Sequence, residues 1–351
     1  MSKTFEIAVL PGDGIGPDVT AEAIRVLGAV ARQFADVRLE FKEHPCGAGE
    51  YLRNGDPLPK ATLEACRTAD ATLLGAMGLP GVRWATGTEM TPQIDLREEL
   101  DLYAGARPIK LYNQAHSPLK ARPGAIDFVL YRENTEGLFF SRKSTYDPAA
   151  SEVRDTMRIS RQAAERLFRV AFRHAQRRRK LVTLVDKANV LPSMAYFRGI
   201  FNEIAKEFPD VRTEAVYVDA AALYLVQRPE WFDVLVTENM FGDILSDLAA
   251  GLVGGMGMAP SGDIGDKHAI FQPSHGSAPD IAGKGIANPI ATILSAAMML
   301  EWLDHPETQA GARRIEAAVE KLCLDPAFAT RDLGGSLNTV DCGKQVAAAL
   351  S

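Results

Sequence analysis

The chain has 351 residues, of which 46% are hydrophobic and 24% charged, with a formal net charge of −6. These values describe a water-soluble globular protein long enough for two packed domains, and they exclude a global basic field for nucleic acid or anionic lipid. The four cysteines (Cys46, Cys66, Cys323, Cys342) are far apart and lack metal-binding spacing, which points to a reducing compartment. The N-terminal apolar run is too short for a signal peptide and no stretch is long enough to span a membrane, so a cytoplasmic protein without membrane partners is expected.

The first predicted strand and helix flank "AVLPGDGIGPDVTAEAIRVL", Ala8 to Leu27. Gly12, Gly14 and Gly16 suggest a dinucleotide fingerprint, but the position for its last glycine holds Pro17, a residue suited to the first turn of a helix. Asp13 also puts a negative charge where phosphate would bind, so the nucleotide must be sought elsewhere. Further apolar runs follow: "ATLLGAM", "DFVLYREN", "KLVTLVDK", "EAVYVDA" and "FDVLVTEN". Most are apolar on both faces, as strands covered by helices on each side are. Helical patterns fall between them, at 17–33, 160–178 and 290–303. The class is α/β, with helices on both sides of a mostly parallel sheet. The basic run "RHAQRRRK", Arg173 to Lys180, closes one amphipathic helix and is expected to be a solvated helix end. The glycine-dense "GLVGGMGMAPSGDIG", 251–265, is the expected crossing or hinge between domains.

Chemistry concentrates in a few places. Asp243 and Asp247 are four apart on a predicted helix, so their carboxylates share one face and repel unless a cation lies between them. Asp219, in "VYVDAAAL", ends a strand at an N-cap position; with the other two it offers the hard oxygen ligands that suit Mg²⁺ or Mn²⁺. Arg97, Arg107 and Arg132 stand at element ends as planar donors able to grip carboxylates. Lys187 follows a fully apolar strand at its carboxyl end, where open α/β sheets place ligand crevices, and could serve as a base. In "HGSAPDIAGKGIANP", small residues let backbone N–H groups approach a ligand, and Asp280 could accept from a ribose 2′-hydroxyl.

The segments "LPGDGIGPDV", "LYAGARP", "YRENTEG", "VDKANVL", "ENMFGDILSD" and "HGSAPDIAGKGIANP", in this order and spacing, resemble the β-decarboxylating dehydrogenases. That family comprises isocitrate, homoisocitrate, 3-isopropylmalate and tartrate/D-malate enzymes, and the likeness runs from Ile7 to about Gly335. It implies an isocitrate/isopropylmalate dehydrogenase-like fold of two α/β domains sharing a central sheet, not a Rossmann fold. The large cofactor domain would be residues 1–103 and 254–351, and the small domain, with metal, substrate and interface residues, 104–253. A homodimer with shared active sites is implied, a tetramer being the larger alternative. By resemblance, Arg97, Arg107 and Arg132 hold the malate carboxylates, with Thr91 and Gln93 beside them. Asp243 and Asp247, with Asp219 of a second copy, match the Mg²⁺ or Mn²⁺ ligands. Lys187, also from the second copy, matches the base for the 2-hydroxyl proton; hydride then passes from C2 to the nicotinamide and the β-carboxylate leaves as CO₂. His275, Gly276, Ser277, Ala278, Asp280 and Asn288 match the cofactor contacts, and the acid at Asp280 implies NAD.

Departures from the family pattern are informative. Phe139 stands where the family carries a proton-donating tyrosine, and a lost general acid typically costs ~10²–10⁴-fold in its step. Water or a nearby hydroxyl, Ser141 or Tyr146, could substitute for it, or the enzyme could release a product that needs little help after oxidation. Gln272 replaces a usual glutamate. Where 3-isopropylmalate enzymes carry leucine four before the first arginine, this chain has Gln93, with Thr91 two positions earlier. An amide facing an isopropyl group would forgo hydrogen bonds at ~1–3 kcal/mol, which favours a polar-substituted malate such as isocitrate or homoisocitrate. The alternatives are 3-isopropylmalate or tartrate/D-malate as substrate, and a non-catalytic subunit of a hetero-oligomeric isocitrate dehydrogenase.

Overall fold

The computed structural model describes residues 3–147 and 149–350, which fall into two units. The first comprises Met1–Leu100, Gly254–Gly262 and Asp266–Ser351; the second comprises Asp101–Val253 and Asp263–Gly265.

In chain order, the first unit opens with β1 (Lys3–Gly12), α1 (Gly16–Ala31), β2 (Val37–Glu43), α2 (Ala48–Asn54), α3 (Lys60–Thr68), β3 (Ala71–Ala76) and α4 (Pro92–Glu99). The second unit follows with β4 (Ala104–Lys110), β5 (Asp127–Glu133), α5 (Arg161–Gln176), β6 (Leu181–Asp186), α6 (Pro192–Ile204), β7 (Arg212–Tyr217), α7 (Val218–Gln227), β8 (Val234–Thr237) and α8 (Asn239–Gly251). The chain returns through β9 (Pro260–Ile264) to β10 (Ala269–Pro273), α9 (Ile290–Trp302), α10 (Pro306–Cys323) and α11 (Thr339–Ala348).

The strand order is β2-β1-β3-β10-β9 in the first unit and β4-β5-β8-β6-β7 in the second. Neighbours pair in parallel at β1·β2, β1·β3, β3·β10, β5·β8, β6·β8 and β6·β7, while β4 and β5 are antiparallel. Interior strands β3, β6, β8 and β10 are buried throughout, which accounts for their continuous apolar runs. The edge strands β2 and β7 are largely exposed, so "EAVYVDA" is not the two-faced core strand its composition suggests. Asp219 lies inside α7 rather than at its N-cap, which is Tyr217.

Each unit has its own core. In the second, α5 buries Leu167, Phe168, Ala171 and Phe172, and Phe168 meets Phe197 of α6 with ring centroids 4.6 Å apart. Ser160 caps α5, accepting from the Ala163 N–H at 3.2 Å. In the first, α9 is buried along nearly its whole length, and its interior position explains why it lacks a polar face. Among the described residues no helix is long and apolar enough to cross a membrane.

The basic run is exposed at Arg173, Arg177, Arg179 and Lys180, as a solvated helix end should be, but it is also ion-paired. Arg178 donates to the buried Asp233 at 2.9 Å and to Asp127 at 2.8 Å, and Lys180 pairs with Asp210 at 3.0 Å. Arg179 donates to the backbone carbonyls of Glu230 and Phe232. Four apolar residues in this helix place the run beside β8, where a buried carboxylate needs cations; composition alone could not reveal that carboxylate.

Candidate active site

In the second unit, Arg132 is the penultimate residue of β5 and α8 begins on Asn239. Asn239 Oδ1 accepts from Arg132 Nε at 3.0 Å and Nη2 at 2.7 Å, and Asp243 Oδ1 accepts from Nη1. Gly242 lets the helix come this close, since a Cβ there would lie 2.7 Å from Arg132 Cγ. Glu238 caps α8, accepting from Phe241 N–H at 2.6 Å and Met240 N–H at 3.1 Å. Burial raises the Glu238 carboxyl above its ordinary range despite those bonds.

Asp247 lies one turn beyond Asp243. Burial, then the Asp243 charge, raises its pKa, and Arg107 and Arg132 act in the opposite direction. Two carboxylates so placed favour a cation between them, and their oxygens are the hard donors that Mg²⁺ or Mn²⁺ takes. Arg107 on β4 is itself buried, with Nη2 3.9 Å from the buried Asp263 Oδ1. Asp263 also accepts from Asn134 Nδ2 at 2.8 Å. Sequence reasoning missed Asn239 and Asp263, which stand among other polar residues in "VTENMFGD" and "PSGDIGDK" and carry no local signal.

Lys187, just past β6, donates to Asp219 at 2.8 Å, and this bond holds the Asp219 carboxyl below the usual range. Lys187 therefore faces a carboxylate rather than a second cation. Among the described residues no three His, Cys, Asp or Glu side chains gather to hold a metal, so one chain does not unite Asp219 with Asp243 and Asp247.

Phe139 packs under Arg132, whose guanidinium carbon is 5.1 Å from the ring centroid. The proposed substitute Ser141 is occupied, its hydroxyl accepting from Thr156 N–H at 2.8 Å and donating to the Thr156 carbonyl at 3.2 Å. Tyr146 is exposed.

In the first unit, α4 carries Gln93 one turn before the buried Arg97, with Thr91 as N-cap. The Gln93 Oε1 is buried and meets no donor among the described residues.

The loop from His275 to Asn288 sits on the first turn. Ile15 N–H donates to the Ser277 carbonyl at 2.8 Å, and a Cβ on Gly14 would overlap that oxygen. A Cβ on Gly12 would likewise overlap the Ala76 carbonyl. These glycines serve close approach of the protein to itself. Ser277 Oγ donates to the Gly78 carbonyl, and Asn288 uses both amide atoms on Asp332 (3.0 Å) and Ile290 N–H (3.0 Å). What remains on offer is backbone, with Gly276 opening onto free space and Ala278 held at φ +38°, a conformation that L residues seldom adopt. His275 Nδ1 meets the Gly276 carbonyl at 2.9 Å, while its buried Nε2 has no partner among the described residues; burial lowers its pKa. Asp280 is exposed. An orphaned ring nitrogen beside an open, backbone-rich loop fits a nucleotide base.

The fold and its pattern of arginines and acids are those of an oxidoreductase acting on a CH–OH group, of the β-decarboxylating kind. Residues 6–348 match the profile of the isocitrate/isopropylmalate dehydrogenase family, to which the chain belongs. It is 47% identical over 338 residues to the 3-isopropylmalate dehydrogenase of Moorella thermoacetica, covering 94% of this chain and 93% of that one. It is 45% identical to the Corynebacterium diphtheriae protein of the same name, with 99% of each covered. Among solved structures, the isocitrate dehydrogenase of Methylococcus capsulatus superposes with a TM-score of 0.89 at 38% identity, covering 99% of each chain.

Proposed function

We propose that this protein is an NAD-dependent 3-isopropylmalate dehydrogenase working as a dimer with shared sites. The near-full-length relatives that bear that name carry the reading, against the lean toward isocitrate that Gln93 suggested. In this assignment Arg97, Arg107 and Arg132 hold the substrate's carboxylates. Asp243 and Asp247 of one copy and Asp219 of the other hold Mg²⁺ or Mn²⁺. The second copy also brings Lys187, whose Nζ takes the 2-hydroxyl proton. The backbone at Gly276, Ser277 and Ala278, with His275 Nε2 and Asp280, receives NAD. When bound, the cation supplies Lewis-acid polarisation of the hydroxyl and NAD accepts the hydride from C2. Arg132 stays in place while the β-carboxylate departs as CO₂, because Asn239 holds it at two nitrogens. Carbon 3 then needs a proton, and Phe139 has none to give.

A second reading, isocitrate or homoisocitrate, is favoured by the unpartnered Gln93 Oε1, which a polar substituent could satisfy. A panel of 3-isopropylmalate, isocitrate, homoisocitrate, D-malate and tartrate, with NADH and CO₂ followed separately, decides. Preference for 3-isopropylmalate with equal NADH and CO₂ supports the proposal. Preference for isocitrate supports the second reading, and no turnover by the purified protein alone supports a regulatory subunit.

A further inference from the structure

Asp13 is buried, 5% exposed, and three backbone N–H groups of the chain donate to it. Its Oδ2 accepts from the Ala48 and Gly78 N–H groups at 2.8 Å each, and its Oδ1 accepts from the Gly49 N–H at 2.8 Å. Ala48 and Gly49 open α2, so the carboxylate sits at a helix N-terminus as well. Gly47, at φ +111°, makes room for it, because a Cβ there would overlap Asp13 Oδ2. Negative charge in this turn is thus taken up by the protein's own backbone donors.

Gly78 is the link. Its N–H is held by Asp13 and its carbonyl accepts from Ser277 Oγ. The Ser277 carbonyl in turn accepts from Ile15 N–H, two residues past Asp13. These bonds close a ring through Asp13, Gly78, Ser277 and Ile15, and Ser277 adjoins the strained Ala278 of the cofactor loop.

We propose that Asp13 is a positioning residue for NAD binding: by fixing Gly78 it holds Ser277, and with it the backbone of the cofactor loop, in the geometry that receives the nucleotide. The inference rests on the assignment of that loop to NAD. Asp13 touches no cofactor atom in this account. In Asp13→Asn an amide N–H must face at least one of the three backbone donors, so one bond is replaced by a repulsion.

The test is NAD binding by titration calorimetry to wild type, Asp13→Asn, Ser277→Ala and the double variant, beside the kcat at saturating NAD. Asp13→Asn is expected to raise the NAD Kd about tenfold or more while kcat and the substrate KM stay within about threefold. Because both changes break the same ring, the double variant is expected to bind little worse than the weaker single variant. Unaltered NAD affinity in Asp13→Asn overturns the inference, as does a double variant whose losses simply multiply. If Asp13→Asn does not fold, Ser277→Ala with hydrogen exchange at 275–288 replaces it, and unchanged protection there overturns the inference. Wild type that binds no NAD defeats the loop assignment instead, which is a distinguishable result.

Discussion

The guanidinium of Arg132 lies over the ring of Phe139, 5.1 Å from its centroid, while its Nη1 donates to Asp243. One arginine thus touches both a metal-ligand candidate and a phenylalanine that would, under the proposed function, stand where a proton donor is needed. Restoring the hydroxyl in Phe139→Tyr is expected to raise kcat at least about tenfold, within the ~10²–10⁴ range of general-acid effects. Steady-state NADH and CO₂ release measure it. An unchanged rate would show that another group already delivers the proton.

Gln93 is the residue to probe for substrate choice. Gln93→Leu removes a buried carbonyl that finds no donor among the described residues. With 3-isopropylmalate, kcat/KM is expected to rise about fivefold to thirtyfold, from ~1–2 kcal/mol of relieved desolvation. With isocitrate it should fall. The opposite pattern would favour the polar-substrate reading.

His174 gives stability a pH dependence. Burial, aided by the Arg178 charge, lowers its pKa to about 4, and Tyr131 Oη sits 2.6 Å from its Nδ1. The ordinary value is 6.5, so below it the unfolded chain takes up a proton that the folded chain refuses until about pH 4. This contribution is intact above pH 6.5 and is lost as pH falls through that window, up to about 1.4 kcal/mol per unit and about 3 kcal/mol in all. Urea unfolding at pH 7.5 and pH 5 checks it: His174→Gln should lose less stability across that interval than wild type does. Parallel losses would contradict the assignment.

Arg178 neutralises the buried Asp233, so Arg178→Ala leaves a carboxylate with weakened compensation. A loss of about 3 kcal/mol is expected, with a clear drop in Tm. If the run were a solvated end, the change would stay within about 0.5 kcal/mol.

The cysteines should be inert in the folded protein. All four are buried, and burial raises each thiol, Cys66 to about 11 and Cys323 to about 12. Ellman's reagent should react only after denaturation.

Much of this was legible before any coordinates. Continuous apolar runs announce the buried strands, and the spacing of Asp243 and Asp247 places both on one helical turn. The ordered motifs carry the family. Other features depend on distant partners that no local pattern contains. Asp13 reads as an obstacle to phosphate until Ala48, Gly49 and Gly78 are seen to surround it. The basic run reads as solvated until Asp233 is found beneath it. The Gln93 Oε1 is buried without a donor among the described residues, which only a packed structure can display.

The proposed active site is built from two copies, Asp243 coming from one and Lys187 from the other. Asp243→Asn and Lys187→Met, each inactive alone, should be unfolded together and refolded as a mixture. Mixed dimers then contain one site free of both changes, and about a quarter of wild-type activity should return. If the mixture stays as inactive as its components although mixed dimers form, the shared site does not exist.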